Sequence, residues 1–216
     1  VRAVEWTAGT IDHFVLARLE SHGMQPSGDA SPYTIARRLA IDLTGFPPTA
    51  EESRQLVTHG ASDLQSAVEH AADRLLSSQD FAERWGRHWL DVARYADSNG
   101  GGVDLTFDNA WRYRDYVINA FATDKPYDVF VQEQIAGDLM PYESNAERAE
   151  RIVATGFLMV GPKPLAKYDK SELKLDVVDD QIDTFGRAFL GLTLGCARCH
   201  DHKFDPVSTR EYYALA

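Results

Sequence analysis

The stretch SELKLDVVDDQIDTFGRAFLGLTLG, residues 171–195, places apolar side chains at Leu175, Val178, Ile182, Phe185, Phe189 and Leu192. Steps of three and four keep these positions on one face of a helix with 3.6 residues per turn, whereas a strand needs alternation by two. The spacing predicts one long helix from about Ser171 towards Gly195, which delivers the chain to Cys196. Working outward, the same periodicity recurs with clear punctuation. Thr10 reads as the cap of a helix carrying Ile11, Phe14, Val15 and Leu19, closed by Gly23. Ser31-Pro32 opens a second helix through Ile35, Leu39 and Leu43 that stops at Gly45. Thr49 with Glu52 forms a capping box for a third, ending at Gly60. Residues 63–77 and 79–96 read as the fourth and fifth, and residues 108–122, 127–137 and 145–158 as three more bounded by Pro126 and Pro141. No alternating run of useful length is present, so the expected fold class is mainly α, a multi-helix domain with irregular loops.

The segment from Asp97 to Phe107 contains three consecutive glycines, Gly100 to Gly102, and is the natural place to divide the chain. The expected organisation is a helical half over 1–96, a glycine-rich connection over 97–107, and a second helical half over 108–216. Residues 161–170, with two prolines and several lysines, read as a loop. The ending at Tyr212-Tyr213-Ala214-Leu215-Ala216 falls inside a helical pattern, and Val1-Arg2-Ala3 is no natural start, so a piece of a longer protein is expected. A formal charge of −11 argues against a phosphate backbone or an anionic membrane surface as partner. It suits solubility, or docking to a basic partner. No run approaches the roughly 20 apolar residues of a membrane span.

The only two cysteines lie in Cys196-Ala197-Arg198-Cys199-His200. Two thiols three positions apart can form thioethers to the two vinyl groups of a haem, and the imidazole that follows can ligate the iron. Other chemistries can use part of this motif. A redox-active dithiol expects a βαβ setting and gives the histidine no role. Structural zinc needs four ligands, and Cys196, Cys199, His200 and His202 are crowded into seven residues. A disulfide across so short a loop removes little unfolded-state entropy.

Several segments resemble the cytochrome-domain proteins of planctomycetes. They are IDHFVLARLESHGMQPS at 11–27, RRLAIDLTGFPPT at 37–49, RWGRHWLDVARYADSNG at 84–100, AWRYRDYVINAF at 110–121, DKPYDVFVQEQIAGDL at 124–139, and FLGLTLGCARCHDHKFDPVSTREYYAL at 189–215. The resemblance implies a middle domain of a large exported protein, following a cytochrome c-like domain and preceding another domain of obscure function, with its own activity uncharacterised. It implies residence in the periplasm or at the cell surface, where haem c is attached. One departure is the short stretch from Gly100 to Phe107, where the family commonly has a longer polar insertion. A chain of this length is not a minimal cytochrome c fold.

A haem held by Cys196, Cys199 and His200 needs either a second axial ligand, which favours electron transfer, or an open sixth position, which allows small-molecule chemistry. His88, between Trp85 and Trp89, is the candidate second metal ligand, and Met159 an alternative. Lys203 is placed to meet a haem propionate, while His202, Asp201 and Asp205 suit an orienting role around His200. Expected partners are the other domains of the parent chain and a redox protein. A second constellation joins Arg94-Tyr95-Ala96-Asp97 with Trp111-Arg112-Tyr113-Arg114-Asp115-Tyr116. Aromatic rings interleaved with Arg and Asp suit a carbohydrate site or a buried ion network between helices. Asp91, Asp97, Asp115 and Asp138 are the carboxylates available for glycoside chemistry.

Overall fold

The computed structural model describes residues 4–100, 105–163, 165 and 169–216. Among these are ten α-helices and no strand. They are α1 Thr10–Ser21, α2 Pro32–Thr44, α3 Ala50–Gly60, α4 Leu64–Leu76, α5 Gln79–Val92, α6 Trp111–Ala122, α7 Tyr127–Ala136, α8 Asn145–Ala154, α9 Lys170–Phe185 and α10 Thr209–Leu215. The all-α class read from periodicity is therefore observed.

The chain forms two compact units. The first comprises Val1–Leu39 with Pro47–Ala71, and the second Ala40–Phe46 with Ala72–Ala216. Leu16, Ala36, Leu56 and Ala67 are buried in the first unit. The capping box of α3 is formed as expected, with Glu52 N–H donating to Thr49 Oγ1 at 3.2 Å and Thr49 N–H to Glu52 Oε2 at 2.7 Å. Gly9, not Thr10, is the N-cap of α1, because Asp12 accepts from the N–H groups of Ala8 and Gly9. Ile11 and Phe14 of α1 stay exposed at 76% and 74%, and Leu16 is the residue this helix buries.

In the second unit α5 and α6 pack against each other, so the helices flanking the glycine-bearing segment are neighbours. Of the three glycines in that segment, Gly100 is described, at φ 67°, while Gly101 and Gly102 lie outside the described residues. A Cβ on Gly86 of α5 would stand 3.2 Å from Ile118 Cγ1, so the absent side chain is what lets the helices approach. Around them gathers an aromatic core of Tyr113, Tyr116, Val117, Phe130 and Phe157, with Trp89 and Phe189 packed on it. Trp89 Nε1 donates to Gln134 Oε1 and Tyr113 Oη, both at 3.0 Å, so the indole is held in the core by its polar edge as well as its rings. A buried ion network covers one side. Glu133 takes Lys125 Nζ at 2.5 Å and Tyr116 Oη at 2.8 Å, and Arg151 Nε lies 3.5 Å from its other oxygen.

α5 and α6 both end in the same way. At α5, Tyr95 N–H bonds Leu90 O at 2.9 Å and Arg94 N–H bonds Asp91 O at 3.2 Å, with Arg94 at φ 56°. At α6, Lys125 N–H bonds Ala120 O at 2.9 Å and Asp124 N–H bonds Phe121 O at 3.3 Å, with Asp124 at φ 49°. These are Schellman closures, which usually put glycine in the left-handed position. α1 does so, with Gly23 at φ 67°.

The single helix expected over 171–195 is interrupted. α9 stops at Phe185, a wider π turn spans Gly186–Leu190, Gly191 takes φ 65°, and a 3₁₀ turn occupies Leu194–Arg198. The cause is local. Leu192 N–H returns to Gly186 O at 3.0 Å, and Leu194 folds back over Gly186, where a Cβ would meet Leu194 Cγ at 2.7 Å. The apolar repeat is kept across the break because Leu192 and Leu194 still pack with Val178, Ile182 and Phe185.

Candidate functional site

The 3₁₀ turn Leu194–Arg198 is sorted by burial. Leu194 and Ala197 go into a small core with Ile182 and Tyr212, while Cys196, Cys199 and His200 are exposed. Both thiols are free. Arg198, between them, is tied back to α9, donating from Nη1 to Asp179 Oδ2 at 2.9 Å. The Asp179 carboxylate raises the Arg198 pKa in turn. Tyr212 Oη donates to the other oxygen of Asp179, and burial followed by this bond pushes the phenol above its ordinary range. Tyr213 Oη donates to Arg198 O at 3.2 Å. The turn is thus clamped between α9 and α10.

His200 Nδ1 lies 2.8 Å from Asp201 O. A carbonyl only accepts, so Nδ1 carries a proton, and in the neutral ring that leaves the lone pair on Nε2, the tautomer an iron ligand needs. His202 is used differently. Its side chain is 6% exposed, and Nδ1 accepts from the N–H groups of Asp205 at 2.8 Å and Phe204 at 3.3 Å. Nε2–H is then left to donate to Thr193 Oγ1 at 3.1 Å. The Asp205 carboxylate stands 3.3 Å from Nδ1. Asp201 Oδ1 accepts from Thr209 N–H at 2.8 Å, fastening the loop to the start of α10. Lys203 is exposed, its ammonium 5.0 Å from the centre of the Phe204 ring.

The donor set suits haem c. Two exposed thiols flank the buried Ala197 and the half-exposed Arg198 that pairs with Asp179, and an exposed imidazole turns its Nδ1 to Asp201 O. Among the described residues no three His, Cys, Asp or Glu side chains converge as a metal ion would require. His88 is exposed on α5, its ring edge-on to Trp85 at 5.4 Å, while Trp89 is turned into the core. Met159 is 51% exposed and takes a 3.5 Å contact from Gln181 Nε2.

The second constellation is partly assembled. Asp91, Tyr95, Asp97, Arg114 and Asp115 line an open cleft of about 910 Å³ along α5 and α6. Tyr95 Oη donates to Asp97 Oδ1 at 2.5 Å, Arg87 pairs with Asp91 at 2.9 Å, and Arg114 with Asp115 at 2.9 Å. Burial, with Asp97 beside it, raises the Tyr95 pKa. Arg94 leaves this group. It pairs with Asp180 and Thr184 of α9, beside Lys163, whose ammonium is 3.9 Å from Asp180. Burial pushes the Lys163 ammonium down. Asp138 lies in the separate turn Gly137–Leu139. The cation of Arg112 stacks on Trp111 at 4.9 Å.

Sequence reasoning missed Thr193 and Asp179, two anchors of the turn that carries Cys196. Asp179 sits in an acidic run that resembles an ordinary solvated helix face, and a lone threonine before Leu194 carries no signal.

A family model described as PSCyt2, a protein of unknown function (DUF1549), matches residues 10–216. The chain belongs to this family. The match to PSCyt2 takes in every segment on which the planctomycete resemblance rested, and both units of the fold. Neither a curated protein nor a solved structure matches it. No helix among the described residues is long and apolar enough to cross a membrane.

Proposed function

We propose that this PSCyt2 domain carries a covalent haem c and passes electrons within an exported, multidomain redox protein, as one domain beside a cytochrome c-like neighbour. The observation that carries this reading is the outward presentation of Cys196, Cys199 and His200 on a turn whose intervening residues are anchored. Thioether formation needs two thiols that reach the vinyl carbons together, and a clamped turn supplies them without further ordering cost. When bound, the haem supplies one-electron chemistry. The chain does the rest. His200 would offer Nε2 to the iron while Asp201 O holds its ring, and His202 ties the loop through Thr193 and the N–H groups of Phe204 and Asp205. Leu190, Phe204 and Tyr213, 52%, 82% and 58% exposed, provide apolar surface beside the turn. Lys203 would neutralise a propionate, and His88 on α5 is the residue this reading expects as second iron ligand. Export follows from the chemistry, because the attachment machinery of bacteria works outside the cytoplasmic membrane.

A second reading rests on the α5–α6 cleft. Four carboxylates, two arginines and a tyrosine edge along one groove are the groups that bond sugar hydroxyls, and a carbohydrate-binding module would use them with no redox role for the cysteines. The two readings separate in a pyridine haemochrome assay on protein exported from a host with active cytochrome c maturation. The haem reading expects a haem c spectrum in the wild type that is lost in Cys199→Ser, with His88→Ala altering the low-spin bands. No haem in the wild type, while a control cytochrome is loaded, overturns it and leaves the cleft as the site.

A further inference from the structure

At the C-terminal end of α6 lies a cavity of about 250 Å³ lined by Phe81, Trp89, Phe121, Tyr127 and Phe130 together with Asp124. Asp124 and Tyr127 are exposed, Phe81, Trp89 and Phe121 half-buried, and Phe130 buried, so five aromatic residues and one carboxylate share an open pocket. We propose that this pocket binds a trimethylammonium group.

Asp124 is the strongest argument. It occupies the left-handed position of the Schellman closure, where glycine costs least, and it sets a negative charge against the negative end of the helix dipole. Aspartate is among the non-glycine residues that enter the left-handed region most readily, so the charge set against the helix dipole is the choice that acts against local stability. Here the carboxylate and the negative end of the α6 dipole lie beside the aromatic lining. A cation too large and too weakly hydrated to need hydrogen bonds, with methyl groups to lie on the rings, fits such a site. The other cation on the wall is Lys125, and its charge is already met. Its ammonium bonds Glu133 at 2.5 Å and Glu150 at 3.1 Å and lies 4.9 Å from the centre of the Tyr116 ring. Tyr127 is 63% exposed, which leaves a way in. The proposal is independent of the haem reading, since none of these residues belongs to the attachment turn.

Trp89 fluorescence and calorimetry on the whole chain, titrated with choline, with glycine betaine and with the uncharged isostere 3,3-dimethylbutanol, test it. Choline is expected to bind and the neutral isostere to bind at least about tenfold more weakly. Phosphatidylcholine vesicles form a further arm. Co-sedimentation with them identifies a lipid headgroup as the source, and binding of free choline alone identifies a soluble ligand. Asp124→Asn keeps the left-handed turn and should weaken choline about tenfold while leaving thermal stability equal or higher. Tyr127→Ala, at an exposed position, should weaken it as well. Equal binding of choline and the neutral isostere, or no binding of any trimethylammonium compound by the folded wild type, overturns the proposal.

Discussion

His202 illustrates how much one side chain can hold. Its ring accepts two backbone N–H groups and donates to Thr193, three bonds that stitch the loop after the attachment motif to the turn before it. Removing a buried partner leaves the others unsatisfied, at about 1–3 kcal/mol. His202→Ala should therefore lower stability by about 2 kcal/mol in urea unfolding, and reduce haem loading without removing any atom that touches the haem. Unchanged stability would show that water replaces the ring. The tyrosines make a second prediction at this scale. Tyr113, Tyr116 and Tyr212 are all raised above their unfolded value of 10.0, chiefly by burial, with hydrogen bonds to Glu133 and Asp179 adding to it for the last two. The unfolded chain loses these protons first. Their stabilisation is thus complete below pH 10 and is lost as the pH rises from there towards the folded values. Unfolding should set in together with tyrosinate absorbance, and Tyr212→Phe should shift its onset.

The break after α9 decides where the cysteines point, and Gly186 decides the break. A Cβ there meets Leu194 Cγ at 2.7 Å, Leu194 Cδ1 at 2.8 Å and Leu192 O at 3.0 Å. Gly186→Ala should cost about 1–3 kcal/mol through overpacking, and should lower the yield of haem-loaded protein more than the same substitution at Gly195, where the Cβ would meet Asp183 Oδ1 at 3.2 Å. Equal yields would mean the turn is not set by this contact. The element boundaries also show what periodicity reveals. α2, α3 and α4 end within about a residue of expectation because Pro32, Gly45, Thr49 and Ser77 act through the local backbone. The long helix over 171–195 was misjudged because the apolar repeat continues through a turn held by tertiary packing of Leu194 on Gly186. Likewise α5 ends at Val92 and not 96, since Arg94 serves in a left-handed position that composition assigns to glycine.

Across the molecule, the spacing of Cys196, Cys199 and His200 can be read from the sequence, whereas the residues that hold their turn, Asp179 on α9, Tyr212 and Tyr213 on α10 and Thr193 just before the turn, come together only in the fold. The carboxylates Asp91, Asp97 and Asp115 were legible as candidates, and their sharing of one cleft was not, since it follows from α5 packing on α6. The buried Glu133 shows the same limit, because nothing in VQEQIA announces that it sits between Lys125 and Arg151. Glu133→Ala, which leaves both cations short of a partner, should cost about 3–5 kcal/mol, read as a lower urea midpoint with unchanged helical content before unfolding. On the proposed redox reading, the formal charge of −11 should favour a basic partner whose association weakens with added salt.

The most direct measurement is the intact mass of the wild-type protein purified from a periplasm with active cytochrome c maturation. The account predicts a covalent increase equal to one haem, absent when Cys196 and Cys199 are both changed to Ser. An unmodified mass, with the two thiols free or joined to each other while a control cytochrome from the same cells carries its haem, would contradict it.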